Sequence, residues 1–290
     1  MKILFQNYAN DLSTEAMYLA RALGMAGVET ELWSDANISA YDVLDRYRPD
    51  VFLTSFRFLT NDVVKYLSQG GGSPELVLNV TGASGDDCKS IDELSESIKI
   101  RMIYTNAFKK EEKFNKLKLE GIYPAADIFM QRRPIQPALP LGILNDGNPE
   151  CVAKAVGENK TYHLLSLQDG DYSDHRVNVS SLHEIYCLYE RFVITGTPDL
   201  VNSQAFFDSC LACHKVDILP EEKSEAQFYT GFLKSIFSEP REDVDNLGEQ
   251  LKKQIVAKHT PFNRAERLMR FLKNDQAVRN LQNLRNNAVK

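Results

Sequence analysis

The chain has 290 residues, of which 43% are hydrophobic and 26% are charged, as is ordinary for a globular protein. Its five cysteines are odd in number and scattered, which excludes a disulfide-stabilised scaffold. No apolar run approaches the roughly 20 residues that cross a bilayer, so we expect no transmembrane segment. The first apolar stretch is also too short for a signal peptide, and we therefore expect a cytoplasmic protein with reduced thiols.

The formal net charge of −6 is unevenly distributed along the chain. The last 40 residues contain ten lysines and arginines and only two acidic residues. Such a basic segment attracts phosphates, an anionic membrane or nucleic acid. It also suits a helical tail that folds back onto the otherwise acidic body, and the near balance of the two charges favours this second interpretation.

Short apolar strands alternate with amphipathic helices through the first hundred residues. The strand at 50–56 is continuously apolar, which is typical of a parallel sheet covered by helices on both faces. Repeated β–α units with right-handed crossovers therefore predict one doubly wound sheet. The predicted strands are 2–8, 28–34, 50–56, 76–80 and 100–104. The predicted helices are 41–47, 60–68, a helix that Gly27 closes before the second strand, and a Ser/Asp/Glu-rich helix before the last strand.

A proline-rich passage at 133–140 interrupts this pattern. We expect neither regular helix nor central strand there, because proline lacks a backbone N–H donor. We place the domain boundary directly after it, which gives domains of residues 1–140 and 141–290. In the second domain we predict strands at 162–167, 191–195 and 215–219, helices at 181–190 and 203–213, and four helices between 224 and 290.

Cys210, Cys213 and His214 form a C-x-x-C-H motif, the attachment pattern of c-type haem. Haem attachment requires export, for which the chain shows no signal. The cysteines also share a helical stripe with Phe207 and Leu211, and buried structural thiols are common. We therefore favour structural cysteines over a haem, redox or zinc site and expect no haem. The five histidines show no metal-binding spacing, so we expect no metal.

Two segments carry a more specific signal. Residues 203–216 read Ser-Gln-Ala-Phe-Phe-Asp-Ser-Cys-Leu-Ala-Cys-His-Lys-Val and resemble the donor-site helix of GT-B glycosyltransferases, where a Phe-Glu-Ala-Leu-Ala-Cys-Gly stretch leads into an apolar strand. Residues 259–272 are similar to the closing helix of the group-1 glycosyl transferases that include spore-maturation-type proteins. The resemblance implies an α/β, GT-B-like fold of two Rossmann-like domains, the second small, with a helical C-terminal tail that crosses back to the first.

The resemblance also implies a nucleoside-diphosphate sugar as co-substrate, bound between the domains, with no further cofactor. The donor diphosphate would meet the helix N-terminus at Asn202, Ser203 and Gln204, where free N–H groups favour anions. Asp208 occupies the position of the family glutamate that accepts hydrogen bonds from the ribose hydroxyls. We assign Arg176 as the cation that faces the diphosphate.

Ligands of open α/β sheets bind at the carboxyl ends of the strands. Two carboxylates follow such ends, Asp11 after the first strand and Asp86 after the fourth. Either is a candidate for the base that an inverting transferase needs, although both residue positions also suit caps or turns. A retaining enzyme would depend mainly on donor contacts that stabilise the departing phosphate.

We therefore predict a hexosyl- or pentosyltransferase that moves a sugar from a nucleotide sugar to a hydroxyl acceptor. Leu200 and His214 stand where the family often has a second acidic residue and a glycine, which motivates an alternative, a non-catalytic GT-B-like binding protein. The basic tail suggests a further alternative, a phage-type enzyme that glycosylates DNA bases. Nucleic acid is not favoured, because the chain is acidic and the tail lacks exposed aromatics for stacking, so we expect a small-molecule or carbohydrate acceptor.

Overall fold

The structure is a computed structural model, and its described residues form two compact units. Unit 1 comprises residues 1–125 and 260–290, and unit 2 comprises residues 126–259. The described residues are 1–6, 14–35, 37–69, 73–106, 112–123, 125–126, 128–129, 139–145, 150, 154–155, 162–166, 175–176, 188–195, 207–208, 210–211, 215–219, 230–232, 234–235 and 238–288.

Unit 1 is built on a six-stranded sheet. Its strands are β1 (Lys2–Gln6), β2 (Glu29–Trp33), β3 (Val51–Ser55), β4 (Glu75–Asn79), β5 (Ile100–Thr105) and β6 (Leu119–Gly121). The intervening helices are α1 (Thr14–Met25), α2 (Ala40–Tyr47), α3 (Asn61–Leu67) and α4 (Gly85–Leu94). All pairs are parallel, and the strand order is β2-β1-β3-β4-β5-β6. The predicted doubly wound sheet is confirmed, since the order reverses direction at β1.

Local chemistry explains where the helices of unit 1 begin and end. Ser39 and Thr60 accept hydrogen bonds from backbone N–H groups in the first turns of α2 and α3. Ser84 and Asp87 form a capping box at the start of α4. Gly27 follows α1 with a φ angle of 85°, a conformation that glycine adopts without strain. The predicted bounds of α2 and α3 are confirmed to within one residue.

Unit 2 contains a second parallel sheet, of five strands. They are β7 (Leu139–Asn145), β8 (Tyr162–Ser166), β9 (His175–Arg176), β10 (Tyr189–Thr195) and β11 (Lys215–Leu219), followed by the helix α5 (Arg241–Lys258). The strand order is β11-β10-β7-β8-β9. This is again a doubly wound order, so the predicted fold class of two α/β units is confirmed. Phe192 and Leu144 lie fully buried in the core of this unit.

Two predictions for unit 2 are wrong. The proline-rich passage is predicted to contain no central strand, but Leu139 and Pro140 begin β7, which is the central strand. Proline is tolerated among the first residues of a strand, where the ladder does not need its N–H group. The helix predicted to reach residue 190 is also contradicted, because Tyr189 and Glu190 belong to β10. The Tyr189 ring packs on Gly142, where an added Cβ would come within 2.7 Å of the ring. This tertiary contact overrides the helical spacing of apolar residues on which the prediction was based.

The C-terminal helices α6 (Pro261–Phe271) and α7 (Asp275–Ala288) belong to unit 1. The buried face of α6 packs against α1 and α7, with Leu268 and Met269 fully buried. The backbone N–H of Ala126 donates to the carbonyl of His259 at 2.8 Å, so the two ends of unit 2 are adjacent in space. The predicted division at residue 140 assigns these helices to the second domain, whereas the structure groups residues 260–290 with residues 1–125.

Arginines of this C-terminal segment make contacts within unit 1. Arg264 donates to the carbonyl of Tyr123 at 2.7 Å, and Arg267 pairs with Glu120 at 2.8 Å. Arg101 donates in return to the carbonyl of Phe271 at the end of α6. For these residues the prediction that the basic tail folds back onto the body of the protein is confirmed.

Candidate functional site

Polar side chains cluster at the carboxyl ends of β4 and β5. Asn79 and Thr105 are the last residues of these strands. The Thr81 hydroxyl donates to Asn79 Oδ1 at 2.7 Å and accepts from the backbone N–H of Asn106 at 2.8 Å. The hydroxyls of Thr81 and Thr105 are 3.4 Å apart. The loops after the two strands are therefore tied together by side-chain hydrogen bonds.

Glu112 places a carboxylate in this cluster. Its Oε1 atom accepts hydrogen bonds from the backbone N–H of Gly82 at 3.0 Å and from the Thr105 hydroxyl at 3.1 Å. The side chain is partly exposed. Two donors thus orient a solvent-accessible carboxylate at the edge of the sheet where ligands of this architecture bind. We call Asn79, Thr81, Gly82, Thr105 and Glu112 the carboxyl-edge cluster.

The turn after β4 presents a backbone donor to Glu112. Gly82 has a φ angle of 74°, and the N–H of Ala83 donates to the carbonyl of Val80 at 3.0 Å. An added Cβ on Gly82 would lie 3.3 Å from a guanidinium nitrogen of Arg57. The positive φ angle therefore favours glycine at this position. The exposed Arg57 guanidinium lies beside this glycine and is close to the cluster.

Side chains at the carboxyl ends of β1 and β3 are joined as well. The Thr54 hydroxyl donates to Gln6 Oε1 at 2.5 Å, and both side chains are buried. These two strands flank the point at which the strand order reverses, the place where open α/β sheets form a crevice. Residues 7–13, which include the predicted base Asp11, lie outside the described residues.

The other predicted base, Asp86, lies in the first turn of α4. Its side chain is 95% exposed, and its carboxylate pairs with Lys89 in the same helix at 3.3 Å. The neighbouring Asp87 serves the capping box with Ser84, and these hydrogen bonds lower the pKa of the Asp87 carboxyl. The structure thus places Asp86 on the outer surface of the helix, and its catalytic role stays a prediction.

The predicted donor-binding residues are only partly covered by the structure. Asn202, Ser203 and Gln204 lie outside the described residues. Arg176 ends the short strand β9, although its side chain is not described. Asp208 is helical, as predicted, and is 7% exposed. Its role as a donor ligand stays a prediction.

Phe207 and Cys210 belong to the core of unit 2. The Phe207 ring stacks on His259 with centroids 4.6 Å apart, and Cys210 is 2% exposed. Burial, with a smaller contribution from the charge of Asp217, raises the pKa of the Cys210 thiol to about 12. Cys213 and His214 lie outside the described residues. The placement of Cys210 is that of a structural thiol.

Cys210 is expected to react slowly with an alkylating reagent in the native protein. The thiolate is the reactive species, and a thiol with a pKa of about 12 is almost entirely protonated at pH 8. Iodoacetamide labelling followed by peptide mass spectrometry should show modification at least ~10²-fold slower in native than in denatured protein. Rapid native labelling at Cys210 would instead indicate an accessible, activated thiol and revive the redox or haem interpretation.

Within the ranges described, no group of three His, Cys, Asp or Glu side chains converges in a way that could hold a metal ion. None of the helices in this part of the chain is both long and apolar enough to cross a membrane.

Sequence reasoning missed Glu112 and Arg57. Glu112 lies in the charged run Lys-Lys-Glu-Glu-Lys at 109–113, which is typical of a solvated surface. Its orientation depends on the N–H of Gly82, 30 residues earlier. The sequence did contain one signal for a site near Glu112. Thr105 ends β5 and Asn106 begins the next loop, and polar residues at the end of a buried strand indicate an edge that faces a ligand.

Comparison with known proteins gives structural similarities only. No protein-family model matches the chain, and no curated protein is significantly similar in sequence. Among solved structures, the chain is similar to MurG of Acinetobacter baumannii, with 8% identity over 87% of this chain and 94% of that chain and a TM-score of 0.43. It is also similar to UGT89C1 of Arabidopsis thaliana complexed with UDP, with 9% identity over 93% of this chain and 98% of that chain and a TM-score of 0.47. The strand orders of the two parallel sheets establish the α/β class independently of these structures.

Proposed function

We propose that the protein is a glycosyltransferase that transfers a sugar from a nucleoside-diphosphate sugar to a hydroxyl acceptor. The observation that carries the proposal is the helix-then-strand arrangement in unit 2 at the segment resembling a GT-B donor site. Phe207 and Asp208 are helical, and β11 begins at Lys215 and forms part of a doubly wound sheet. The return of α6 and α7 to unit 1 also agrees with what the resemblance implies.

On the donor side, the diphosphate binds at the helix N-terminus formed by Asn202, Ser203 and Gln204, with Arg176 as the facing cation. Backbone N–H groups and a guanidinium stabilise the negative charge that develops on the departing diphosphate. Asp208 would accept hydrogen bonds from the ribose hydroxyls. Such a site neutralises the leaving group without a metal ion.

On the acceptor side, Glu112 is a further candidate for the base, beside the predicted Asp11 and Asp86. A carboxylate takes the proton of the acceptor hydroxyl while that oxygen bonds to the anomeric carbon of the sugar. The bond from the anomeric carbon to the diphosphate breaks, and the nucleoside diphosphate leaves with the electron pair. Glu112 is preferred over Asp86 because Gly82 and Thr105 orient its carboxylate at the sheet edge.

A second candidate function is a non-catalytic binding protein of GT-B-like organisation. The burial of Asp208, which is 7% exposed, favours it, because a ribose ligand needs an accessible carboxylate. Measured transfer or hydrolysis of a sugar nucleotide would rule this candidate out.

A small-molecule or carbohydrate acceptor remains preferred over DNA. Arg264, Arg267 and Arg270, cations that a nucleic acid would have to engage, make intramolecular contacts. These contacts would compete with phosphates for the same guanidinium groups.

A thermal-shift screen with UDP, GDP, ADP and their sugars tests the donor assignment. A ligand that binds only the folded protein stabilises it, by about 2.7 kcal/mol at a hundredfold excess over its Kd. We expect one nucleotide series to raise the melting temperature and Arg176→Ala to abolish the shift. The absence of stabilisation by any of these ligands at millimolar concentration would contradict the donor assignment.

A further inference from the structure

A cavity of about 360 Å³ lies between the edge strand β2 and helix α2 of unit 1. Leu4 and Val43 supply apolar wall, and Trp33 and Tyr47 supply aromatic wall. None of the residues of the carboxyl-edge cluster lines this cavity. A cavity of this size holds a small molecule or one long side chain. It is a separate site, and its ligand chemistry is independent of the proposed transferase activity.

The charged lining of the cavity is mainly acidic. Glu31, Asp35 and Asp42 contribute carboxylates and Arg46 contributes one cation, which leaves a net charge of −2. This charge disfavours phosphate or carboxylate ligands and attracts cations.

The three carboxylates differ in their existing partners. Asp35 accepts hydrogen bonds from Asn37, and Asp42 accepts one from the Ser39 hydroxyl, so both serve local turns. Glu31 has no ion pair or hydrogen bond among the described residues. Glu31 is therefore the lining carboxylate that is available to a bound cation.

Tyr47 adds a hydrogen-bonding requirement. Its hydroxyl oxygen is buried and has no hydrogen-bond partner among the described residues. Burial, together with the charges of Glu29, Glu31 and Asp50, raises the pKa of Tyr47, so the phenol stays neutral at physiological pH. A neutral phenol oxygen accepts hydrogen bonds, and a ligand N–H group would satisfy an atom that is otherwise unpaired.

We propose that this cavity binds a primary aliphatic ammonium group carried on an alkyl chain. The ammonium group donates to the Glu31 carboxylate and to the Tyr47 hydroxyl oxygen, while the Lys2 ammonium already lies 5.6 Å from the centroid of the Tyr47 ring. The alkyl chain covers the apolar wall at Leu4 and Val43. The Trp33 indole N–H already donates to the Asp35 carbonyl at 2.7 Å, so Trp33 offers ring surface and not a donor. A free polyamine and a lysine side chain of another protein share this chemistry.

The chain offers a local reporter for the test, because Trp33 is its only tryptophan. Its fluorescence is followed while the full chain is titrated, at about 150 mM salt to screen diffuse attraction, with spermidine or a short single-lysine peptide. The same peptide with an acetylated lysine is the neutral control. We expect a saturable change with spermidine, with the lysine peptide or with both, and none with the acetylated peptide. The tighter of the two ligands identifies the source of the ammonium group.

Two matched variants complete the test. Glu31→Gln should weaken binding about tenfold through loss of a charge-assisted hydrogen bond. Asp45→Asn removes an exposed carboxylate of helix α2 that does not line the cavity, and it should leave the affinity unchanged. Both substituted side chains are exposed, so both variants should fold, which circular dichroism checks. No saturable change with either ligand up to about 10 mM, or equal weakening by the two variants, would overturn the proposal.

Discussion

Replacing Glu112 with glutamine is expected to lower the rate of sugar transfer by about 10²- to 10⁴-fold, the usual contribution of a general base. The amide keeps the size of the side chain, and its oxygen can still accept from Gly82 and Thr105. The fold should therefore persist, with an unchanged melting temperature. Initial rates of nucleoside-diphosphate release, measured for wild type and variant with the same donor and acceptor, check this expectation.

Asp86→Asn is the matched control for Glu112→Gln. The Asp86 side chain is 95% exposed and pairs with Lys89, a surface interaction worth little. We expect the control to retain nearly full activity. A large loss with Asp86→Asn and none with Glu112→Gln would assign the base to Asp86, one of the two candidates predicted from the sequence, and would contradict the role proposed for Glu112.

Replacing Glu266 with alanine is expected to lower the free energy of unfolding by about 2–4 kcal/mol. The Glu266 carboxylate is 7% exposed and accepts hydrogen bonds from Arg270, Arg285 and Gln282 at 2.6, 2.8 and 2.9 Å. Arg285 and Gln282 join α7 to α6 through this carboxylate, and the substitution leaves the guanidinium groups of Arg270 and Arg285 without it. Urea denaturation at pH 7 measures the change, and Glu249→Ala, in an exposed pair with Lys252, should cost less than about 0.5 kcal/mol.

The same carboxylate should make stability depend on pH. Burial alone would raise the pKa of Glu266, but hydrogen bonds from Arg270 and Gln282 and the charge of Arg285 together lower it below the ordinary value of 4.5. The stabilisation is therefore complete above about pH 4.5 and is lost as the pH falls through the lower folded-state pKa. Wild type should lose stability more steeply than Glu266→Ala below pH 4.5. Parallel pH profiles of the two proteins would contradict this account.

Local sequence chemistry predicted much of unit 1 because the determinants are short-range. Caps such as Ser39, Thr60 and Ser84 act on residues three positions away. The continuously apolar segment at β3 indicated a buried parallel strand, and right-handed crossovers restrict the possible strand orders. In unit 2, strand β11 was likewise predicted with the observed bounds, Lys215–Leu219.

Features that depend on distant contacts could not be predicted in this way. The position of α6 depends on contacts such as the hydrogen bond from Arg264 to the Tyr123 carbonyl, which joins residues 141 positions apart. Strand β7 begins within a proline-rich segment because Arg191 and Leu141 pair across the sheet. In the sequence, Glu112 is one of several charged residues in a run typical of a solvated surface. Gly82 and Thr105 approach its carboxylate only in the folded chain. Local patterns contain no information about such partners.

The most direct test of the central claim is nucleoside-diphosphate release from a panel of UDP-, GDP- and ADP-sugars, with and without hydroxyl-bearing acceptors. The proposed transferase should release the diphosphate from at least one donor, faster when its acceptor is present and far more slowly in Glu112→Gln. Even without the correct acceptor, slow transfer to water is expected, because the donor contacts that stabilise the leaving diphosphate remain in place. Folded protein that binds none of these donors and releases no diphosphate from any of them would contradict the claim.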